Sequence, residues 1–184
     1  MLAVLGVLIA KYTGEEDICL GFPVSSRRGH PSLDDVFGFF VSTSVARLKV
    51  DGNISFRQYL GSAKEKANLA IKNSKLPFDK IIETVNPERI PFQNPLFQFS
   101  LSWLNNVFPF DLNGAPCKRV NVPESIAPFD ISFYLWKENN RIKGEIEYSI
   151  DLFRHDTILR LKDHLSALIK ELTGNPDKPL GSVT

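Results

Sequence analysis

"GFPVSSRRGHPSLDDVFGFFVSTSVARL", from Gly21 to Leu48, places a polar loop with two adjacent arginines and a histidine between two apolar segments. The first segment begins upstream as "DICLGFPVS" (17–25), and the second continues as "VSTSVARLKV" (41–50). Alternation at a period of two is typical of half-buried β-strands. In the first segment the alternating apolar residues are Ile18, Leu20, Phe22 and Val24. The stretch therefore predicts two strands joined by a loop that starts with basic side chains.

Helical patterns occur on both sides of this stretch. "MLAVLGVLIAKYTG" is an apolar run closed by Gly14, and we expect a buried helix because the run is shorter than the roughly 20 residues that span a bilayer. It also lacks the basic start and cleavage site of a signal peptide. Ser55 and Gln58 form a capping box before an amphipathic helix, and "PFDKIIETVN" predicts a short helix. We expect Asp156 to cap a final helix that stops at Gly174.

Further strands are predicted in the second half of the chain. "PLFQFSLSWL" places Gln98, Ser100 and Ser102 opposite an apolar face of Phe97, Phe99, Leu101 and Trp103. "FDISFYLWKENNRIKGEIEYSID" predicts a hairpin that turns at Glu138 to Asn140, and its second strand alternates Ile142, Ile146, Tyr148 and Ile150 with charged residues. These elements predict an α/β fold, a mixed β-sheet with helices packed on it. Residues 175–184 predict the start of a linker.

Composition and motifs exclude several classes of function. The chain has 22 basic and 21 acidic side chains, so no global charge draws it to nucleic acid or to an anionic membrane. Cys19 and Cys117 are too few for a disulfide framework or a zinc site, and a cytoplasmic location is the default expectation. No phosphate-binding loop, metal-ligand pair or serine nucleophile elbow occurs in the sequence. The three histidines, His30, His155 and His164, are scattered, and none is a candidate base.

Several segments, in order, resemble the condensation domain of nonribosomal peptide synthetases. The opening stretch resembles a Gly-x-Pro-Val strand that leads through an arginine to "GFFVNT" and a closing arginine. "LPFDKIIETVNPER" is similar to the family's "PFEKLVE", "QNPLFQFSLSWLNN" to "NPLFQVMF", and "PFDISFYL" to its "FDL" strand. "GEIEYSIDLFRHDTILRLKDHL" resembles its "G-x-x-Y-x-x-DLF" run. The resemblance covers nearly all of residues 1–180 and favours amide-forming condensation over epimerisation or heterocyclisation.

The resemblance implies one lobe of a two-lobed enzyme. Family members have two chloramphenicol-acetyltransferase-like lobes, and the catalytic "HHxxxDG" of the first lobe is absent from this sequence. We therefore expect residues 1–174 to form the C-terminal lobe, inactive alone, with no catalytic residue, no metal and no directly bound cofactor. Carrier proteins deliver phosphopantetheine thioesters into a tunnel between the lobes of the complete enzyme. The uncapped start of the first helix fits a chain that begins where this lobe begins.

The same resemblance names candidate site residues. Arg27 matches the arginine that holds the aspartate of the missing motif, although an arginine after a strand is more often a solvated surface charge. Without that aspartate, we expect Arg27 to lack a carboxylate partner unless Asp34 or Asp35 substitutes. Ser42, which replaces the asparagine of "GFFVNT", is a candidate tunnel residue by the same resemblance. The residues that border the tunnel by resemblance are Ser100, Ser102, Trp103 and Asn106, and the alternative is an ordinary amphipathic strand with Trp103 in the core.

Two functions remain open at this point. In the first, the chain is half of an acyltransferase that forms amide bonds, with carrier proteins, an N-terminal lobe and adjacent synthetase domains as partners. In the second, the lobe is a non-catalytic docking module that binds carrier proteins or self-associates through an exposed apolar face. Neither interpretation requires nucleic acid or a membrane.

Overall fold

The computed structural model describes residues 1–27, 29–91, 93–104, 111–112, 114–116 and 127–183. The α-helices in these ranges are α1 (Leu2–Thr13), α2 (Phe56–Lys72), α3 (Phe78–Val85) and α4 (His155–Gly174). The strands are β1 (Asp17–Ser25), β2 (Val41–Lys49), β3 (Phe99–Leu104), β4 (Asp111–Leu112), β5 (Ala115–Pro116), β6 (Ile131–Glu138) and β7 (Arg141–Tyr148). Short 3₁₀ turns cover Pro31–Leu33 and Leu180–Ser182.

Five strands form one mixed sheet in the order β2-β1-β3-β6-β7. The strands β1, β3 and β6 are parallel to one another, while β2 and β7 pair antiparallel at the two edges. The strands β4 and β5 pair separately. A mixed sheet carrying helices confirms the predicted α/β fold class.

Local capping signals fixed the helix ends as expected. Gly14 ends α1 in the left-handed conformation, with φ 76°, and Asn86 ends α3 in the same way with φ 43°. The Ser55 side chain accepts from the Gln58 backbone, and the Gln58 side chain accepts from the Ser55 backbone, which completes the capping box at α2. These three boundaries depend on neighbouring residues alone, which is why the sequence predicts them.

The helix α1 lies at the centre of the core. Every residue from Ala3 to Ile9 is buried, and Leu5 is fully inaccessible. A helix that is apolar all round is stable only when it is surrounded, and α1 packs against β1, α2 and α4. Facing it, β1 buries Ile18, Leu20, Phe22 and Val24, the alternation predicted from the sequence.

The other face of the sheet is covered at its middle by aromatic rings. A Cβ atom on Gly21 would lie 2.2 Å from the Phe97 ring, so this close approach requires glycine. The Phe97 ring packs against Phe129, with 4.8 Å between ring centroids, and against Phe78 at 5.8 Å. Phe97 is itself almost fully buried.

The predicted hairpin is present, with a shorter second strand than expected. Asn139 and Asn140 both have positive φ, 47° and 60°, as a two-residue turn between twisted strands requires. The strand β7 ends at Tyr148, so the prediction that Ile150 belongs to it was wrong. Ile142 is in the strand, but its side chain is 58% exposed because β7 forms the edge of the sheet.

Two predictions about the C-terminal part of the chain were wrong. Arg154, not Asp156, occupies the cap position of α4, and the Asp156 carboxylate lies inside the first turn, where it accepts from the backbone of Thr157. The segment predicted as a linker packs onto the domain as far as Val183, because Leu180 and Val183 are buried in the core. These contacts depend on tertiary packing.

Candidate functional site

The carboxyl ends of β1 and β3 open onto a cavity of about 990 Å³. Since β1 and β3 are parallel neighbours, both end at the same edge of the sheet. Ligands of open α/β sheets bind at this edge, in the crevice beyond the carboxyl ends of the strands. The first turn of α1 and the last turn of α2 supply Leu2 and Ile71 to the walls, and Phe22 and Leu101 supply the sheet side. The inner walls are therefore apolar.

Arg27 holds the loop that closes one side of this cavity. Its guanidinium donates to the carbonyl oxygens of Leu33, of Asp34 at 3.5 Å and of Gly38 at 3.4 Å. It also lies over the Phe40 ring, 4.2 Å from the ring centroid. A planar guanidinium suits both contacts, since it donates in several directions and stacks on aromatic faces. Arg27 thus ties the end of β1 to the segment that leads into β2.

Arg27 has no ion-pair partner among the described residues. Asp34 contributes its backbone carbonyl and not its carboxylate, and Asp35 forms no ion pair with the guanidinium. The side chain is half-buried rather than fully solvated. Carbonyl oxygens offset the positive charge of a half-buried guanidinium less than a carboxylate does.

Trp103 lies on the cavity wall and is 44% exposed, which contradicts its alternative placement in the core. Neighbouring residues on a strand point to opposite faces. Ser102 therefore lies on the face away from the cavity, as does Ser100, whose buried hydroxyl donates to the Ser132 hydroxyl at 3.0 Å. Sequence alternation separates the two faces of β3 correctly, but it does not tell which face borders the cavity.

Ser42 supports the fold beside the cavity. Its hydroxyl donates to the carbonyl oxygen of Ser74 at 3.0 Å and lies 3.4 Å from that of Val24, so it joins the start of β2 to the end of α2. Asn106, another predicted tunnel residue, falls outside the described residues, as does Arg28.

Large exposed aromatic residues follow the loop that lines the cavity, and they were not singled out from the sequence. Phe37 is 105% exposed and Phe39 is 88% exposed, and Val36 and Val41 beside them are each 44% exposed. We call residues 36–41 the aromatic edge. Contiguous exposed apolar patches mark interaction surfaces. A sequence signal exists in "VFGFFV", but the same letters are equally typical of a buried strand.

The polar side chains that line the cavity can hydrogen-bond a ligand. His30 and Asp34 line the mouth, both are exposed, and neither side chain hydrogen-bonds another described residue. Burial raises the pKa of the Cys19 thiol, so this side chain stays protonated and a poor nucleophile at neutral pH. In the described residues, no three His, Cys, Asp or Glu side chains form a group that could hold a metal. No helix in the same ranges is long and apolar enough to cross a bilayer.

The sequence model of the Condensation domain family matches residues 1–184. Bacitracin synthase 1 of Bacillus licheniformis is 34% identical over 184 residues, which are 100% of this chain and 4% of that protein. Gramicidin S synthase 2 of Brevibacillus brevis is 31% identical over 187 residues, again 100% of this chain and 4% of that protein. The chain therefore spans a small fraction of the relatives that it matches.

Solved structures share the fold. The X-domain from teicoplanin biosynthesis superposes with a TM-score of 0.87 at 21% identity, over 99% of this chain and 42% of that chain. The starter condensation domain of the rhizomide synthetase gives a TM-score of 0.79 at 13% identity, over 99% of this chain and 42% of that chain. In both cases, more than half of the solved chain has no counterpart here.

Proposed function

The chain belongs to the condensation-domain family, and from this premise we propose that it is the C-terminal lobe of a domain that forms amide bonds in nonribosomal peptide synthesis. In the complete domain, an amine carried by one carrier protein attacks a thioester carried by another, and the thiol leaves. This lobe supplies one wall of the reaction space, while the catalytic histidines belong to the part of the domain outside this chain.

One observation carries the proposal. The loop that lines the cavity of about 990 Å³ with Arg27 and Asp34 leads directly into the aromatic edge, where Phe37 is 105% exposed. Exposed phenylalanine rings next to an open cavity suit a surface that a second folded unit covers. The coverage of only 42% of a starter condensation domain supports a second unit of at least similar size. The sequence also contains no pair of adjacent histidines.

The contacts at the cavity suggest separate roles for the predicted tunnel residues. Trp103 is the proposed tunnel wall, since it lines the cavity and is partly exposed. Ser42 and Ser100 hold strands in place through hydrogen bonds and have indirect roles. Arg27 shapes the loop through its carbonyl contacts, and its remaining N–H groups are the proposed partner of an acid from the other lobe.

The proposed partners follow from this role. They are carrier proteins, the N-terminal lobe and adjacent synthetase domains, and phosphopantetheine arrives on the carriers as part of the substrate. A cytoplasmic location belongs to the same proposal.

The direct test is reconstitution. This chain is co-expressed with the complementary N-terminal lobe of a condensation domain and mixed with one acyl-loaded and one aminoacyl-loaded carrier protein. We expect an amide product by mass spectrometry, with no product from this chain alone. The Phe37→Ala/Phe39→Ala variant should reduce the product strongly, while Ile150→Ala, at an exposed position beyond β7, should not. Failure to form product with several complementary lobes would overturn the enzymatic proposal.

The aromatic edge also supports a second candidate, a non-catalytic module that pairs with itself through this surface. The measurement is light scattering of the chain alone at rising concentration. A dimer that Phe37→Ala/Phe39→Ala dissociates would support this candidate. A monomer at all concentrations would exclude it.

A further inference from the structure

A separate groove of about 600 Å³ lies between α1 and α4. We call it the α1–α4 groove. Leu8 and Leu168, each 3% exposed, form its floor together with the exposed methyl group of Ala167. Its lining shares no residue with the large cavity, which meets α1 at Leu2, and Leu2 lies about 15 Å along the helix axis from Tyr12 in the groove. The groove is therefore a site apart from the proposed tunnel.

The rim of the groove is basic. Lys11 comes from the last turn of α1, and Arg160 and His164 come from one face of α4, four positions apart. No carboxylate is among the described residues that line the groove. Neither Lys11 nor Arg160 forms an ion pair within the described part of the chain. Lys162 of the same helix, by contrast, pairs with Asp163 at 3.4 Å. The positive charge of the rim is thus available to an anion from outside.

Local contacts use only some of the donors on this rim. The Lys11 ammonium donates to the Val183 carbonyl, which occupies one of its three N–H groups. The Arg160 guanidinium donates to the Thr157 hydroxyl at 3.3 Å, which occupies one of five. Arg160 also lies in the second turn of α4, where the helix dipole does not favour a cation. The fold itself therefore does not account for a cation at this position.

Tyr12 holds the His164 ring beside the two cations. The Tyr12 hydroxyl and the His164 Nδ1 atom are 2.8 Å apart, and the two ring centroids are 5.8 Å apart. When the hydroxyl donates to Nδ1, the proton of the neutral imidazole is on Nε2, which becomes a donor for a ligand. The Tyr12 ring is 47% exposed and adds an apolar wall to the groove. The bonded pair is positioned before any ligand arrives, which lowers the entropy cost of binding.

We propose that the α1–α4 groove binds a carboxylate that carries an apolar arm. The arm lies on the floor of Leu8, Ala167 and Leu168, beside the Tyr12 ring. The carboxylate accepts from the Arg160 guanidinium, whose planar fork matches two carboxylate oxygens in a way that a point charge does not. This chemistry occurs in two sources, a free aliphatic acid and the C-terminus of a peptide. The inference does not depend on the proposed function.

The test titrates the full chain with three probes, each below its micelle concentration. They are octanoate, 1-octanol and acetate, and NMR follows the amide signals of α1 and α4. We expect octanoate to bind about tenfold more tightly than 1-octanol, because the alcohol cannot form the charged hydrogen bonds. Acetate has no apolar arm to bury and should bind more weakly than octanoate. The preference for octanoate over 1-octanol should weaken as salt rises.

Two variants separate the two parts of the ligand. Arg160→Gln should remove the preference for octanoate over 1-octanol, while Lys170→Gln, which changes an exposed cation of α4 outside the groove, should retain it. Ala167→Phe fills the groove and should weaken the binding of both probes. Its control, Ser166→Phe, changes the neighbouring exposed position outside the groove and should not. A circular dichroism melt of each variant excludes unfolding as the cause.

Equal binding of octanoate and 1-octanol, no binding of either, signal changes confined to other elements, or equal losses in the control variants would overturn the inference. A parallel titration with N-acetyl-leucyl-leucine distinguishes the sources. Tighter binding of this peptide acid than of octanoate, lost in Arg160→Gln, identifies a peptide C-terminus, and the reverse order identifies a free aliphatic acid. None of these measurements involves amide formation, so failure of the reconstitution leaves the inference standing, and the reverse also holds.

Discussion

Two apolar stretches of this chain have opposite environments. The helix α1 buries every residue from Ala3 to Ile9, while the aromatic edge, residues 36–41, exposes Phe37 and Phe39 almost completely. In sequence, both stretches consist of apolar residues and glycine. The difference is that α1 has β1, α2 and α4 around it, whereas the aromatic edge has no described neighbour over its two outer rings. The core is thus complete within this chain, and the edge beside the cavity is not.

The aromatic edge is exposed although its backbone is held in place. The Phe40 carbonyl accepts from the backbone N–H of Ser26 at 2.8 Å, and the Phe40 ring lies under the Arg27 guanidinium. A loop fixed at one ring while presenting two others is suited to contact with a preformed surface. The proposed lobe interface is therefore expected at the aromatic edge and not at the core.

The largest expected effect is the difference in lost stability between a substitution in the core and a substitution at the aromatic edge. Leu5→Ala removes a fully buried side chain and should lower the free energy of unfolding by about 2–5 kcal/mol. Phe37→Ala removes a larger side chain, yet the change should stay within about 0.5 kcal/mol because the ring is exposed. Urea denaturation measures both values. A comparable loss for Phe37→Ala would show that the edge belongs to the core.

A smaller effect is expected for a second position within the closed part of the fold. Gly21→Ala places a Cβ atom against the Phe97 ring and should cost about 1–3 kcal/mol of stability. The control is Gly61→Ala on α2, where nothing lies within 4 Å of the new Cβ atom, and it should stabilise by about 0.5–1 kcal/mol. The prediction fails if the two substitutions shift the melting temperature in the same direction.

Substitution of Arg27 should change the stability of the loop between β1 and β2 without affecting the rest of the fold. Arg27→Lys keeps the charge but loses the planar fork that reaches several carbonyls and stacks on Phe40. We expect amide hydrogen exchange within residues 29–40 to accelerate about tenfold, because the free energy that keeps this loop closed falls by roughly the contribution of one hydrogen bond to a charged group. Arg47→Lys, in an exposed pair with Asp17, is the control and should leave this loop unchanged.

The smallest effect concerns pH. Hydrogen bonds from Arg47 lower the pKa of Asp17, so the contribution of this pair to stability is complete above the unfolded-state pKa of an aspartate. It is lost as the pH falls through the lowered pKa of the folded state. Asp17→Asn should therefore narrow the difference in melting temperature between pH 7 and pH 3 slightly. An unchanged or larger difference in melting temperature would show that the ion pair between Asp17 and Arg47 does not stabilise the fold.

Sequence reasoning succeeded where neighbouring residues determine the structure. Gly14, the Ser55 capping box and the Asn139–Asn140 turn are local signals, and each was confirmed. It failed where distant elements decide, as at the buried end of the chain around Leu180, which contacts the residues before α2.

The candidate site follows the same division. The sequence named Trp103 together with Ser100 and Ser102, but which of these side chains face the cavity depends on which side of the sheet the helices cover. A second cavity, of about 320 Å³, combines the end of β1 with the end of α2, 48 positions apart when counted from Val24 to Lys72. No spacing rule within one element predicts such a pairing.

The most direct measurement of the central claim is hydrogen exchange of this chain with and without the complementary N-terminal lobe. We expect strong protection across the loop from Arg27 to the aromatic edge, with little change in α1, which is already buried. Phe37→Ala/Phe39→Ala should reduce that protection, because it removes the two exposed rings. Binding that protects another surface and leaves exchange in residues 27–41 unchanged would contradict an interface at the aromatic edge.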